Sequence, residues 1–387
     1  MGERTYLDNA STTYPKPPCV PQAVVDYMTN AGTNIGRGEY SSVFDVEDLV
    51  FDARERVTRL FGASDPSQVV FTRNVTEALN LVLKGYLKPG DHVIVSSMEH
   101  NAVMRPLNQL TERGVRFSRA QCTCDGSLDP HDVEKLIEPQ TKLVVMTHAS
   151  NVCGMILPAQ EVARICREHG IRFVLDAAQS AGVIPIEAEN WGIDAVCFTG
   201  HKGLLGPQGT GGVVFTGDLA SSIEPLVAGG TGSSSDLEEM PSFMPDHLEA
   251  GTPNLPGIAG LRASLEWLDQ RGIDAIRAHE LALAGRFLEG LEPMEERGLL
   301  RIVGKKTLEG RTGVVSIQTP GRELAEVAHA LDARYGIQTR VGLHCAPSAH
   351  RTLGTFPTGT IRFSFGWANT EKDIGHALTA LNELIAN

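Results

Sequence analysis

At 387 residues the chain is long enough to bury a large core, and that length favours two domains over one. Its 42% hydrophobic and 21% charged residues exclude disorder as the default. A formal net charge of -13 argues against a nucleic-acid surface, which needs basic residues to replace counterions, and weighs against an acidic partner.

The first residues, "MGERTYLDNASTTYPKPP", lack an apolar stretch of signal-peptide length, and no run approaches the ~20 apolar residues of a membrane span. The expectation is a cytoplasmic protein that does not engage a membrane. Seven cysteines, an odd and scattered set, read as reduced thiols rather than as a disulfide framework. "CTC" at Cys122 to Cys124 has no second pair at zinc spacing, so no metal is expected.

In chain order, the first clear unit is "FTRNVTEALNLVLKGYL", a strand ending at Phe71, a short turn, and a helix opening at Val75 to Thr76. Short apolar runs then alternate with segments of helical periodicity. "HVIVSS", "VRFSRA", "KLVVMTH", "IRFVLDAA", "DAVCFTG" and "GGVVFTG" read as strands, and "NAVMRPLNQLTERG" and "LPAQEVARICREHG" as helices between them. That order implies βαβ units and a mainly parallel sheet, with functional residues where strands give way to loops. Residues 229–256 are rich in Gly, Ser and Pro and read as a long surface excursion or domain junction. A helical pattern from Gly257 to about Glu292 follows, and then strands near "RIVG", "TGVVSIQ" and "TIRFSF" with helices at "RELAEVAHALDARYG" and "EKDIGHALTALNELIA". A smaller α+β domain is expected there.

The chemistry centres on "TGHKGLLGPQG". A phosphate-binding P-loop requires Ser or Thr directly after its lysine, and Lys202 is followed by Gly203, so that reading fails. An isolated Lys-Gly pair would be a plain surface turn, but Asp176 closes a nearly all-apolar strand 26 residues upstream. A carboxylate in that position needs a cation or strong donors. A pyridinium nitrogen supplies one, and a lysine in Schiff-base linkage with an aspartate on the ring nitrogen is the protein signature of pyridoxal 5'-phosphate (PLP). Gln179, three residues on, could reach the ring oxygen. Free N–H groups at Val75 and the Thr76 hydroxyl offer an anion site at a helix start. His100 in "SSMEHNAV" ends another strand, where an imidazole can stack on a ring or carry a proton.

These residues, with "YLDNASTT", "ASNVCG", "EAGTPN", "RVGLHCAP" and "RFSFGWANT", make the chain resemble from end to end the class V aminotransferase group of PLP enzymes, and within it the cysteine desulfurases and selenocysteine lyases. The resemblance implies an α/β, fold-type I architecture: a mainly parallel sheet of about seven strands in a large domain, and a smaller α+β domain. It implies a large domain of residues 18–256 and a small one of 1–17 and 257–387. It also implies that Lys202 carries the cofactor and moves the α-proton, that Asp176 pairs with the ring nitrogen and Gln179 with the ring oxygen, and that His100 stacks over the ring. Thr76, Thr199 and His201 would bind the phosphate, helped by Thr252 from a second subunit of a homodimer. Asn151 would sit beside the ring oxygen and substrate, and Arg362 would fork onto the substrate carboxylate, with Arg340 as a second cation nearby.

A desulfurase needs a thiol that an aminotransferase does not. Cys345, in a loop between Gly342 and Pro347, follows His344 and lies near Arg340, and positive charge on these neighbours would favour thiolate. The expected reaction is conversion of L-cysteine to L-alanine, with sulfur held on Cys345 as a persulfide for an acceptor protein. The "RVGLHCA" loop is similar to that of the second desulfurase group but has Leu343 where a further histidine is common, and "CAPSAH" departs from its usual continuation. L-Selenocysteine as substrate, another class V lyase or aminotransferase, and a silent sulfur-carrier scaffold stay open as alternatives.

Overall fold

A computed structural model of the protein describes residues 4–36 and 40–386. Its strands in chain order are β1 (Thr5–Tyr6), β2 (Val69–Thr72), β3 (His92–Ser96), β4 (Arg116–Ala120), β5 (Thr141–Thr147), β6 (Arg172–Asp176), β7 (Ala195–Thr199), β8 (Gly211–Phe215), β9 (Arg301–Val303), β10 (Val314–Gln318), β11 (Ile337–Gln338), β12 (Arg340–Gly342) and β13 (Thr360–Ser364).

Seven of them form one sheet in the order β2-β8-β7-β6-β5-β3-β4, parallel except for β8, which runs antiparallel to both of its neighbours. Near-continuous apolar runs suit these strands because helices cover both faces. Val93, Val95, Leu143, Val145 and Val174 pack with Leu79, Val82, Val103 and Leu107 of the helices Val75–Tyr86 and Asn101–Thr111. Ile94, Val144, Met146, Phe173 and Leu175 face the other way, toward Val57, Val162, Cys166 and Leu265. The strict alternation fixes register, since a slip of one residue would exchange the two cores.

A second sheet, β12-β13-β10-β9, is antiparallel and lies entirely within the C-terminal third. The N-terminal segment joins it in space: β1 pairs with β11, and Asp8 bridges Ser364. The helical pattern beyond residue 257 is two helices, Leu255–Arg271 and Ile273–Glu296, parted at Gly272, whose φ of 82° lies outside helical geometry. Leu261, Leu265 and Leu268 of the first pack into the large-sheet core.

The parallel strands end along one edge, and the turns after β6 and β7 touch there. A Cβ on Gly203 would sit 2.4 Å from Ala181 O, and one on Gly182 would sit 2.4 Å from Gly203 O. Gly182 is further restricted by its φ of 77°. This backbone contact sets where Lys202 stands relative to Asp176. Gly203→Ala is expected to destabilise by about 1–3 kcal/mol through overpacking and to lower the thermal midpoint. An unchanged midpoint would show that the two turns do not meet.

Candidate functional site

Asp176, 2% exposed, closes β6, and its carboxylate accepts from Ala178 N at 2.9 Å. Lys202 follows β7 in a turn held by the N-terminal segment: Thr13 Oγ1 donates to Lys202 O at 2.8 Å, while Thr13 N and Lys16 Nζ donate to His201 O at 3.0 and 2.7 Å. Burial pushes the Lys202 amine down to about 8, with Asp176 and Cys345 pulling the other way. Burial likewise pushes Asp176 up, opposed by the Ala178 N–H and Lys202. Both shifts have the same cause, removal of charge from water. Gln179 donates from Nε2 to Ala10 O at 2.9 Å and lines, with Lys202, a small cavity of about 40 Å³.

The helix starting at Val75 is capped by Asn74, whose side chain accepts from Glu77 N at 3.0 Å. Thr72 and Thr199 both register with Gly211, so this helix start lies at the same sheet edge as the end of β7. A Cβ on Gly211 would meet Asn74 Cα at 2.7 Å, which is why glycine stands there. Thr76 is exposed at this helix start. Thr252 is exposed and lines, with Thr72, Glu77 and Gly211, a cavity of about 330 Å³ at this same helix start.

His100 caps the helix Asn101–Thr111 and accepts at Nδ1 from Ala102 N at 3.0 Å, which leaves its proton on Nε2. Burial, reinforced by Lys202, holds it down to about 4, so it is neutral. Next to it, Glu99 is fully buried, accepts from Ser96 Oγ and from Thr147 N at 3.0 and 3.1 Å, and is pushed up to about 8 by burial.

On the opposite wall, Arg362 of β13 is 2% exposed, donates from Nη2 to Asp8 at 2.8 Å and from Nη1 to Asn151 O at 3.0 Å. Arg340 lies across from it in register on β12, 2.9 Å from Ser11 Oγ and 3.6 Å from Asp8. Two guanidiniums thus share one carboxylate, and a net positive charge remains for an anion. Asn151 Nδ2 donates to His344 O at 2.7 Å, and Asn101 N to Cys345 O at 2.8 Å, so the cysteine loop is fastened over the site from two elements. His344 and Cys345 both adopt left-handed backbone, φ 46° and 57°, a strained pair for non-glycine residues. Cys345 is exposed. Cys124 is exposed too; Cys122, Cys153, Cys166 and Cys197 are buried.

Two features depart from sequence reasoning. His344 is no cation beside Cys345: burial, with Arg362 next, pushes it down to about 2, and its Nε2 lies 2.8 Å from Thr360 Oγ1. Asp8 and Glu99 carry no assigned role in the sequence reading, although "YLDNASTT" and "MEHNAV" contain them. Nothing in a linear pattern says which carboxylate will meet Arg362.

Pyridoxal phosphate fits the unused bonding capacity. Thr199 Oγ1, His201 Nδ1, Ser180 Oγ and Arg362 Nε are buried without a hydrogen-bond partner among the described residues. Buried polar groups rarely stay unpaired, and donors at the end of β7 beside a helix start suit a phosphate. Asp176 and Lys202 lie ready for a ring nitrogen and an aldehyde.

Glu280, from the helix Ile273–Glu296, lines the cavity shared with Lys202, and burial pushes its carboxyl from 4.5 up to about 8. The folded state therefore holds this proton more tightly than the unfolded chain. The associated stability is full below about pH 4.5, declines as pH rises, and is lost above about pH 8. Glu280→Gln lacks this titration, so its stability relative to wild type should rise by roughly 3–5 kcal/mol across that window, read from denaturant midpoints at the two pH values. Parallel pH profiles would mean that Glu280 reaches water.

Residues 5–376 match the family model described as aminotransferase class-V. A probable cysteine desulfurase of Methanothermobacter thermautotrophicus is 34% identical over 97% of this chain and 93% of its own length. One of Pyrococcus abyssi is 32% identical over 99% and 94%. Among solved structures, the apo cysteine desulfurase of Thermococcus onnurineus superposes with a TM-score of 0.92 at 32% identity, covering 99% of this chain and 95% of that one. The cysteine desulfurase CsdA of Escherichia coli gives 0.87 at 29% identity with the same coverage. The chain belongs to the class-V aminotransferase family, whose cofactor is pyridoxal 5'-phosphate.

Proposed function

We propose that the protein is a cysteine desulfurase: L-cysteine becomes L-alanine, and its sulfur is held as a persulfide on Cys345. The observation that carries this reading is a strained, exposed thiol fastened over Lys202, close enough that the charge of the sulfur acts on the lysine. The names of the relatives agree with it.

Bound at this site, the cofactor supplies an electron sink that weakens bonds at the substrate's α- and β-carbons. Asp176 would hold the proton on the ring nitrogen, Gln179 and Asn151 would face the ring oxygen, and His100 would stack on the ring. The Val75 N–H, Thr76, Thr199 and His201 would take the phosphate, completed by Thr252 of a second subunit. Arg362 would fork onto the substrate carboxylate, where the charge left over from Asp8 and Arg340 favours an anion. Lys202, neutral above about pH 8, would hold the cofactor and move the proton at the substrate's α-carbon. The Cys345 thiolate would attack the substrate sulfur. The Cβ–S bond then breaks with its electron pair left on carbon, a proton completes alanine, and no external oxidant or reductant is consumed.

A homodimer is part of the proposal. Exposed Val25, Met28, Phe44 and Phe51, and Leu226 and Val227 beside Thr252, are apolar surface suited to a second copy. If Thr252 serves its partner, dilution to monomer should bleach the cofactor's visible absorbance. We also propose the division into residues 18–256 and 1–17 with 257–387, supported by the two separate sheets. All seven cysteines are free, which suits a reducing cytoplasm, and among the described residues no helix is long and apolar enough to cross a membrane.

The test is alanine released from L-cysteine by PLP-loaded protein with dithiothreitol. Cys345→Ala should lose activity by about 100-fold or more while keeping its visible absorbance. Arg362→Lys should raise KM by about 10- to 100-fold, since a point charge replaces a fork. Equal release from wild type and Cys345→Ala would sink the persulfide. No release from either would make selenocysteine the next substrate to try.

A further inference from the structure

The acidic balance of the whole chain conceals a local reversal around Cys345. One turn beyond Asn101, whose N–H holds the Cys345 carbonyl, Arg105 is exposed on the same helix. On the other side of the loop, the helix Pro347–Thr352 carries exposed Arg351, its guanidinium 4.2 Å from the centre of the Phe356 ring. Gln121 Nε2 reaches Thr352 Oγ1 at 3.3 Å and ties this helix to the end of β4. Exposed Arg119 stands there, 4.9 Å over Phe117. Burial, and then the like charge of Arg351, holds Arg119 below its usual value, which places the two guanidiniums within reach of each other.

Some exposed arginines elsewhere, such as Arg73, Arg116 and Arg164, have carboxylate partners, and others, such as Arg59, Arg113 and Arg297, stand singly without one among the described residues. Among the described residues, Arg105, Arg119 and Arg351 have none. Apolar Phe356, under Arg351, is 42% exposed. Grouped unpaired arginines beside an exposed aromatic ring have the composition of a recognition surface, and the charge selects the partner.

Resting on the desulfurase reading, we infer that Arg105, Arg119 and Arg351 form the docking surface for a sulfur-acceptor protein whose own cysteine is ringed by acidic residues. A protein fits better than a small thiol because the arginines stand on three separate elements and no small molecule would span them together with Phe356. In the transfer, the acceptor thiolate attacks the outer sulfur of the Cys345 persulfide. The bond from that sulfur to Cys345 Sγ breaks, its electron pair leaves on Sγ, and the acceptor becomes the persulfide without net oxidation. The step brings two anionic sulfurs together, and the guanidiniums offset that repulsion.

The probes are two synthetic peptides of equal length with one cysteine each, flanked by glutamates in one and lysines in the other. Both are supplied to the PLP-loaded enzyme with L-cysteine, and peptide persulfide is counted by mass spectrometry. At low salt the acidic peptide should accept sulfur about tenfold or more faster, an advantage that shrinks in about 0.5 M salt. An R105E/R119E/R351E variant should lose or invert the preference while its alanine release to dithiothreitol stays at the wild-type level. Equal peptide rates, or a preference the salt does not touch, would overturn the inference, and the salt series needs only the wild-type protein. Glutathione accepting as fast as the acidic peptide would overturn the protein-sized partner. No alanine even with dithiothreitol would fell the desulfurase reading itself, and the inference with it.

Discussion

The pair of half-buried Lys202 and buried Asp176 is the constraint from which the site is built. They stand at the ends of adjacent parallel strands, β7 and β6, in register through Asp176 and Cys197. Removal from water drives each toward its neutral form, the lysine down and the aspartic acid up. An ammonium and carboxylate held this way gain little over two neutral groups. Under the proposed reading a cationic ring nitrogen would give Asp176 its counter-ion, and the neutral amine of Lys202 would be the form that meets a carbonyl. The close contact of Gly182 and Gly203 keeps the two turns at the spacing this demands.

The opposite wall works by an imbalance of charge rather than by desolvation. Arg362 and Arg340 converge on Asp8, and one carboxylate cannot neutralise both. Asp8 comes from the N-terminal segment, which pairs with β11 and reaches the small sheet where Asp8 bridges Ser364 of β13. That explains why the first residues pair with the last third of the chain: they bring both the carboxylate that orients the arginines and the hydroxyl of Thr13 that holds the Lys202 turn.

Much of this was legible in the sequence because the large sheet is buried on both faces. Its strands read as unbroken apolar runs, and a polar residue at the end of such a run, as Asp176 is, stands out as needing a partner; His100, expected at a strand end, lies four residues beyond β3 as a helix cap. The seven-stranded sheet follows that reading, and Asp176 stands at the end of β6 while Arg362, on the other sheet, reaches Asn151 O. The misses have a common cause: they depend on what meets what in three dimensions. Asp8 becomes informative only beside Arg362, and Glu99 and Glu280 only once burial shifts them. His344 reads as a cation from its neighbours in sequence, whereas its neighbours in space make it neutral. Gly272 sits in a pattern that continues across it, so periodicity alone hides the break between two helices.

The cysteine loop joins the two walls and carries strain while doing so. Consecutive left-handed residues at His344 and Cys345 cost on the order of 1–3 kcal/mol each, and persist because surrounding contacts over-determine them. Asn151 holds the His344 carbonyl from the large-sheet side, Asn101 holds the Cys345 carbonyl, and Thr360 anchors the imidazole from β13. Asn151 also accepts from Arg362 at its own carbonyl, so the residue that fixes the loop touches the arginine paired with Asp8. A substrate that shifts Arg362 or Asn151 therefore acts on the same contacts that keep Cys345 in place. Relief of the backbone strain offsets part of the loss of these hydrogen bonds, so the loop that carries exposed Cys345 is held less firmly than a thiol packed in the core, as Cys197 is.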